Sequence, residues 1–177
     1  MAEARDIENY EKAYLDRKKD FALMKKNGRK VMSMYLGGIL IECLLKTIII
    51  KKNKVQKTIT VFEKSRRVAY WYNDENYKKL QSIKKPQKSD YKRLNNGFNP
   101  EHNLILALKQ INEFYENITE EGIKRLEMLN RPINNQNFTS LRYTYDDEIP
   151  DEVYKQWEEN FMYFINFLHK MKKHLMF

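Results

Sequence analysis

A run of mostly apolar residues at 31–50 constrains this 177-residue chain more than any other feature. It is long enough to cross a bilayer, which takes about 20 residues. The run contains Glu42 and Lys46, which lie four apart and therefore on one face of a helix. A lysine near the bilayer centre costs about 2.5–3.5 kcal/mol. We therefore predict the central helix of a soluble protein, in which Glu42 and Lys46 either line a cleft or form a buried pair.

Apolar stripes at helical spacing predict four further helices around this central one. They are 5–28, 99–118 with a start signal at Asn99-Pro100-Glu101, a shorter one after Thr119, and one from Pro150 with seven large apolar positions. Short connections favour antiparallel neighbours. We therefore predict an all-α fold, an antiparallel up-and-down helical bundle of four to five helices that forms one domain over 1–177. Gly37 and Gly38 in the central helix predict a close approach by a neighbouring backbone.

The segment 53–98 does not continue the helical pattern and is strongly basic. Between Lys51 and Arg93 there are 14 Lys or Arg and 4 Asp or Glu, whereas the rest of the chain has 19 and 20. TITVF (58–62) and VAYWY (68–72) are β-branched and aromatic, which leaves a hairpin and an irregular helix both open. The polar stretch 82–97 reads as a loop. We predict a basic, aromatic-rich insertion between the second and third helices.

Cations and aromatic rings alternate along this insertion. Phosphates bind cations, and unpaired bases stack on aromatic side chains. The pattern favours RNA or a nucleotide as partner, and the candidate binding residues are Arg66, Arg67, Trp71, Tyr72, Lys78, Lys79, Lys84 and Lys85. Two alternatives stay open at this point, a solvated lysine-rich loop and a surface that docks an acidic protein.

The sequence lacks the motifs of common enzyme classes. Three His and one Cys show no HxxxH or CxxC spacing, so we expect no metal and no cofactor. Glycine-rich phosphate loops and the GxSxG motif are absent from the sequence. Cys43 is interpreted as a buried small hydrophobe. The amino terminus is charged and lacks the apolar segment of a secretory signal, so we expect a cytoplasmic protein with no membrane contact.

Three segments in order resemble the HEPN superfamily, the higher eukaryote and prokaryote nucleotide-binding domains. They are YLGGILIECLLKTII (35–49), PEHNLILALKQI (100–111) and SLRYTYDDE (140–148), followed by a long amphipathic helix. The resemblance implies a helical bundle that is commonly a homodimer. It also implies RNA or nucleotide binding, and a toxin–antitoxin or defence setting with a partner nucleotidyltransferase or antitoxin protein.

Many members of that family are metal-independent ribonucleases with an Arg, four to six residues and a His. Here Arg142 stands where the family arginine would fall, but Asp147 and its neighbours follow in place of a histidine. A histidine exchanges protons near neutral pH, with an ordinary pKa of about 6.5, whereas that of an aspartate is about 3.9. We therefore expect a domain without standard ribonuclease activity, in which Arg142 and Asp147 pair to pin the loop.

Two other readings of the same residues remain open. One is an active metal-independent endoribonuclease with a rearranged site, in which His102 acts beside Arg142 and Asp147. The other is a non-catalytic protein-interaction subunit. The candidate cleft-lining residues for the first are Glu42, Lys46, Asn103 and Tyr143.

Overall fold

The structure is a computed structural model that describes residues 3–63 and 66–174. Its helices are α1 (Tyr10–Lys26), α2 (Lys30–Lys52), α3 (Asp74–Gln81), α4 (Lys88–Leu94), α5 (Leu104–Lys109), α6 (Asn112–Tyr115), α7 (Glu120–Asn130) and α8 (Asp151–His174). Its strands are β1 (Glu3–Asp6), β2 (Lys57–Glu63), β3 (Arg66–Tyr72) and β4 (Gly97–Phe98). Two 3-10 segments, Phe138–Tyr143 and Asp146–Glu148, precede α8. The protein is therefore mixed α and β, and the prediction of an all-α bundle is wrong.

The sheet is antiparallel, with strands in the order β1-β2-β3-β4. β2 and β3 form a hairpin in which Ile59 lies opposite Tyr70 and Thr58 opposite Trp71. Their β-branched and aromatic residues favour strands, which decides the alternative that the sequence left open. β1 adds to β2 from the amino terminus, with Ala4 opposite Ile59. Its sequence, EARD, carries no strand signal, so this pairing comes from tertiary context.

α2 is the centre of the helical body, as predicted. It packs against α1, α5, α8 and the first 3-10 segment. It is long and apolar enough to cross a membrane, with mean hydropathy 1.7 in an 18-residue window, yet 83% of that window is buried inside the protein. This burial is consistent with the central helix of a soluble protein.

Gly37 and Gly38 sit at close contacts, although the neighbours are aromatic rings and not backbone. A Cβ atom on Gly37 would lie 2.6 Å from the Trp157 indole, and one on Gly38 would lie 2.2 Å from the Phe138 ring. Both rings are buried, at 4% and 0% exposure. The two glycines therefore allow α8 and the first 3-10 segment to dock flat on α2.

Residues 57–98 form a compact unit, here called the sheet unit. α3 and α4 pack on β3 and enclose a hydrophobic cluster separate from the main core. The buried members of this cluster are Ile59, Val61, Tyr70, Tyr72, Leu80 and Leu94. The predicted loop at 82–97 contains α4, whose first turn carries a capping box of Gln87 and Asp90.

The predicted helix 99–118 is divided into two short helices, α5 and α6, and two predicted helix starts are also displaced. The signal at Asn99-Pro100-Glu101 does not start a helix, because Glu101 has a φ of 52° and the chain turns there. The helix α5 starts at Leu104 instead, capped by the Asn103 side chain, which accepts a hydrogen bond from Leu106 N. α1 likewise starts at Tyr10, since the residues before it belong to β1 and its connection. Its stop at Asn27-Gly28 is confirmed, with Gly28 at a φ of 66°.

The apolar stripe of α8 lies mostly inside this chain. Trp157, Phe161, Phe164 and Leu168 are each at most 5% exposed, and Leu175 lies outside the described residues. The large apolar positions that suggested a homodimer are thus covered by the helical body itself. Homodimerisation stays a prediction.

We predict that Gly38→Ala destabilises the fold. The added methyl would enter the space of the Phe138 ring, and overpacking of this kind costs about 1–3 kcal/mol. For a chain of this size we expect a melting temperature lower by at least about 2 °C in calorimetry. Phe138→Leu should free room for the methyl, so the double variant should lose less than the sum of the single losses. Equal melting temperatures for Gly38→Ala and wild type would contradict the close contact.

Candidate functional site

A buried charge cluster lies at the middle of α2. The Glu42 carboxylate accepts a hydrogen bond from Lys46 Nζ at 2.7 Å, and its other oxygen lies 2.8 Å from His102 Nδ1. Glu42 and Lys46 are 6% and 3% exposed, so this is a buried ion pair, one of the two alternatives left open by the sequence. Because unpaired buried charges are very costly, each carboxylate oxygen has its own partner.

The chain positions His102 through contacts on both sides. The Asn137 side chain donates to the His102 carbonyl oxygen at 2.9 Å. The imidazole meets the Phe138 ring edge-on, with centroids 6.4 Å apart. The Tyr10 ring lies 4.9 Å from Lys46 Nζ and covers the other side of the cluster. Residues from α1, α2, the turn before α5 and the first 3-10 segment therefore meet at one point.

The cluster changes the proton affinity of His102. The hydrogen bond to Glu42 raises the pKa of His102, and the Glu42 charge adds to this effect against partial burial and the Lys46 charge. The His102 side chain remains 56% exposed. Among the described residues its Nε2 has no hydrogen-bond partner. The arrangement is that of an oriented imidazole, one nitrogen held by a carboxylate and the other available to an incoming group.

The structure separates other residues that the sequence analysis grouped with His102. Arg142 is exposed and lies over the Tyr143 ring, with 5.0 Å between the guanidinium carbon and the ring centroid. Within the described chain, neither His102 nor Asp147 forms a hydrogen bond or ion pair with Arg142. The expected Arg142–Asp147 pin is absent, and Asp146 fulfils that role. Its carboxylate binds Arg29 Nε at 2.7 Å and Val31 N at 2.8 Å.

The four candidate cleft residues do not line one cleft. Glu42 and Lys46 are buried in the charge cluster. Asn103 lines a groove between α5 and α7, whereas Tyr143, 77% exposed, lines a second groove along the 3-10 segments. His102 adjoins both grooves, because Asn103 follows it in the chain and Asn137, which lines the second groove, binds its carbonyl oxygen.

Trp71 and Tyr72 are removed from the candidate nucleic-acid surface. Trp71 is 1% exposed and belongs to the main core, while Tyr72 is fully buried and donates to the Tyr91 carbonyl at 2.9 Å. Neither ring offers a free face to a base. Their burial could not be read from the sequence, because a strand buried on both faces shows no alternation of polar and apolar residues.

Lys57 binds Asp6 outside the sheet unit, and the other described cations of the unit fall into two groups. Lys88, Lys92, Lys79 and Arg93 bind carboxylates of the same unit, namely Glu63, Glu75 and Asp90. The pairs of Lys88 and Lys92 with Glu63 link α4 to the hairpin, whereas the pairs of Lys79 and Arg93 lie within α3 and within α4. Five exposed cations have no carboxylate within ion-pair distance among the described residues: Arg66, Arg67, Lys78, Lys84 and Lys85.

One exposed aromatic residue accompanies these cations. Phe62 is 64% exposed at the end of the hairpin, and the Arg67 guanidinium carbon lies 5.5 Å from its ring centroid. Register places the two opposite each other on one face of the sheet. Phe62 is not among the binding residues predicted from the sequence, since exposure of one ring among many cannot be read from composition.

The described residues contain no group of three His, Cys, Asp or Glu side chains placed to hold a metal ion. Burial raises the pKa of the Cys43 thiol to about 11, so the buried-hydrophobe interpretation of this residue agrees with its environment.

We compared the chain with protein-family models, characterised proteins and solved structures, and no match was found. The HEPN resemblance therefore depends on the three quoted segments alone and stays a prediction.

We predict that His102 makes the protein less stable as the pH rises from about 6 to 8. A histidine whose pKa is raised by folding contributes stability that is fully present below its unfolded pKa, about 6.5, and is lost as the pH passes the folded pKa. Melting temperatures of wild type and His102→Asn should therefore differ most at pH 6 and least at pH 8.

His169 provides the matched control for this titration. Its pKa is lowered, mainly by partial burial, so its protonation opposes folding. The wild-type advantage over His169→Asn should change with pH in the opposite direction. A His102 advantage that is flat or grows toward pH 8 would contradict the Glu42–His102 hydrogen bond.

Proposed function

We propose that this protein binds single-stranded RNA through the basic surface of the sheet unit. The surface is defined by the five cations without carboxylate partners and by Phe62. The observation that supports the proposal is the division of the exposed cations, since four of them bind carboxylates of the unit and five have no carboxylate partner among the described residues.

Five unpaired cations on one small unit suit a polyanion. A solvated lysine-rich loop would not need a folded scaffold, yet here α3 and α4 are packed on the hairpin by a hydrophobic cluster of their own. The cations are thus carried in defined positions on α3, at the hairpin end and on the short connection between α3 and α4. Phosphate contacts of this kind give affinity that does not depend on base sequence.

Phe62 and Arg67 add a surface for stacking. An exposed ring with a guanidinium beside it can stack an unpaired base, at about 1–3 kcal/mol per base. Duplexes keep their bases stacked inside, so this feature favours a single strand. In this proposal Phe62 takes the stacking role that the sequence prediction gave to Trp71 and Tyr72, which are buried.

We predict a salt-dependent affinity for a labelled uridine decamer. If all five cations contact phosphates, log K should fall with log salt at a slope of about −3.5. Replacing Lys78, Lys84 and Lys85 together by Gln should flatten this slope by about 2. Phe62→Ala should weaken binding by about 1–3 kcal/mol and leave the slope nearly unchanged. Fluorescence anisotropy at several salt concentrations measures both.

A control variant with the same loss of charge is Lys18→Gln with Lys19→Gln and Lys155→Gln, on helices of the body. It should keep the wild-type slope within about 0.5, since direct phosphate contacts set the slope. Equal flattening by both triple variants would mean that net charge alone drives binding. Absence of binding at about 50 mM salt would reject the proposal and favour a protein-docking surface.

The charge cluster supports a second candidate function, metal-independent RNA cleavage. The Glu42–His102 hydrogen bond of 2.8 Å orients the imidazole and leaves Nε2 open. Because its pKa is raised, His102 keeps a proton up to a higher pH than an ordinary histidine does, and it could donate that proton to a leaving oxygen. Arg142 has no contact with His102, so this candidate rests on His102 and Glu42.

Incubation of labelled RNA with the protein in EDTA tests this candidate. Cleavage that is lost in His102→Ala but kept in Arg142→Ala would establish it. Glu42 is a poorer test, because Glu42→Gln leaves Lys46 buried without a counter-charge, which typically costs about 3–5 kcal/mol. RNA that stays intact with wild type, under conditions where it binds, would leave binding as the function.

The biological setting follows from the resemblance alone. We propose a cytoplasmic homodimer in a toxin–antitoxin or defence locus, with a nucleotidyltransferase or antitoxin protein as partner. Co-purification with the product of an adjacent gene, and light scattering for the dimer, test these two points separately.

A further inference from the structure

The groove between α5 and α7 has the size of a ligand site and lies apart from the basic surface of the sheet unit. Its volume is about 710 Å³, within the range of about 300–1,000 Å³ that is usual for small-molecule pockets. Leu106 and Met128 line it and are 43% and 39% exposed, which gives it an apolar wall. Neither the proposed RNA surface nor the charge cluster uses these residues.

The polar lining of the groove consists almost entirely of donors. Asn103, Asn130 and Asn135 line it. The carboxamide oxygen of each accepts a hydrogen bond from the protein, from Leu106 N, Leu104 N and Arg131 Nη1 respectively. These bonds fix the orientation of the three amides. Among the described residues, their NH₂ groups have no acceptor.

Asn130 is the most informative of the three amides. It is 6% exposed, and its oxygen is held 2.9 Å from the first backbone N–H of α5. Its NH₂ group is therefore held in a fixed direction at the groove, where it has no acceptor among the described residues. A ligand that supplies the acceptor would gain a directed hydrogen bond without first having to orient this donor.

The charged side chains around the groove also favour an anionic ligand. Lys109, Lys124 and Arg131 line it against a single carboxylate, Glu127. Within the described chain, none of the three cations lies within ion-pair distance of a carboxylate. Amide donors and cations together need a ligand rich in anionic acceptors, and a phosphate group offers three such oxygens.

We propose that this groove binds a small molecule carrying two or more phosphates. Two sources share this chemistry, a nucleoside polyphosphate and an inorganic oligophosphate. The apolar wall of Leu106 and Met128 favours the first, because it can pack against an organic ring. The proposal is independent of RNA binding, since it shares no residue with the basic surface.

Isothermal titration calorimetry with ATP, AMP and inorganic tripolyphosphate tests the proposal on the whole protein. ATP should bind at least about tenfold more tightly than AMP, because additional phosphates engage more donors. ATP should also exceed tripolyphosphate if the apolar wall contributes. Tripolyphosphate binding as tight as that of ATP would assign the site to oligophosphate. No binding of either would overturn the proposal.

Substitutions of the cations and of the amides localise the site. Lys124→Gln with Arg131→Gln should weaken ATP binding by about tenfold or more, whereas Lys18→Gln with Lys155→Gln should not change it. Asn130→Asp keeps the oxygen that binds Leu104 N and replaces the NH₂ donor by an anionic oxygen, so it should abolish binding. Its melting temperature shows whether it folds, and Asn135→Asp repeats the test at a residue that is exposed.

The same variants separate this proposal from RNA binding. Lys124→Gln with Arg131→Gln should leave the salt slope for the uridine decamer unchanged, and the Lys78, Lys84 and Lys85 variant should leave ATP binding unchanged. ATP binding lost only in the sheet-unit variant would overturn the groove as its site. Capture of an aspartate-rich peptide in place of ATP, lost on Lys124→Gln with Arg131→Gln, would also overturn it.

Discussion

The carboxylate of Glu42 sits in the middle of a helix that the fold buries, and its need for partners organises the helical body. An isolated charge at this depth would cost more than the whole stability of a typical domain. Lys46 neutralises it from the next turn of α2, and its amine binds one of the two carboxylate oxygens. His102 completes the cluster and so ties the turn before α5 to α2. Asn137 and Phe138 then dock on His102, which brings in the first 3-10 segment.

This dependence explains which parts of the site were predictable. Glu42 and Lys46 stand four apart in an apolar run, so their pairing follows from helical geometry alone. The contact of His102 with Glu42 spans 60 residues, and nothing local in the sequence signals it. His102 is a candidate from the sequence, but the prediction places it beside Arg142 in a cleft, and the structure pairs it with Glu42. The turn at Glu101, with its positive φ, directs His102 toward α2 instead.

The strands, too, could be predicted only in part from the sequence. TITVF and VAYWY both have β propensity, but VAYWY lacks the alternation of polar and apolar residues that marks a strand, because the second half of β3 is buried on both faces. Tyr70 and Tyr72 belong to the small cluster under α3 and α4, while Trp71 between them belongs to the main core. The β1 strand had no signal at all, because four residues of mixed character acquire strand structure only by pairing with β2.

Burial of β3 on both faces has a consequence for function. A strand shared by two hydrophobic clusters fastens the sheet unit to the helical body, so the cations on α3, on its connection to α4 and at the hairpin end are carried by a rigid support. The basic insertion is therefore a folded unit and not an unstructured tail. Three acidic residues of the unit, Glu63, Glu75 and Asp90, bind cations of the same unit, so five exposed cations are left without carboxylate partners among the described residues. The exposed positive charge on which binding of a polyanion depends therefore comes from the cations that these pairs leave without a partner.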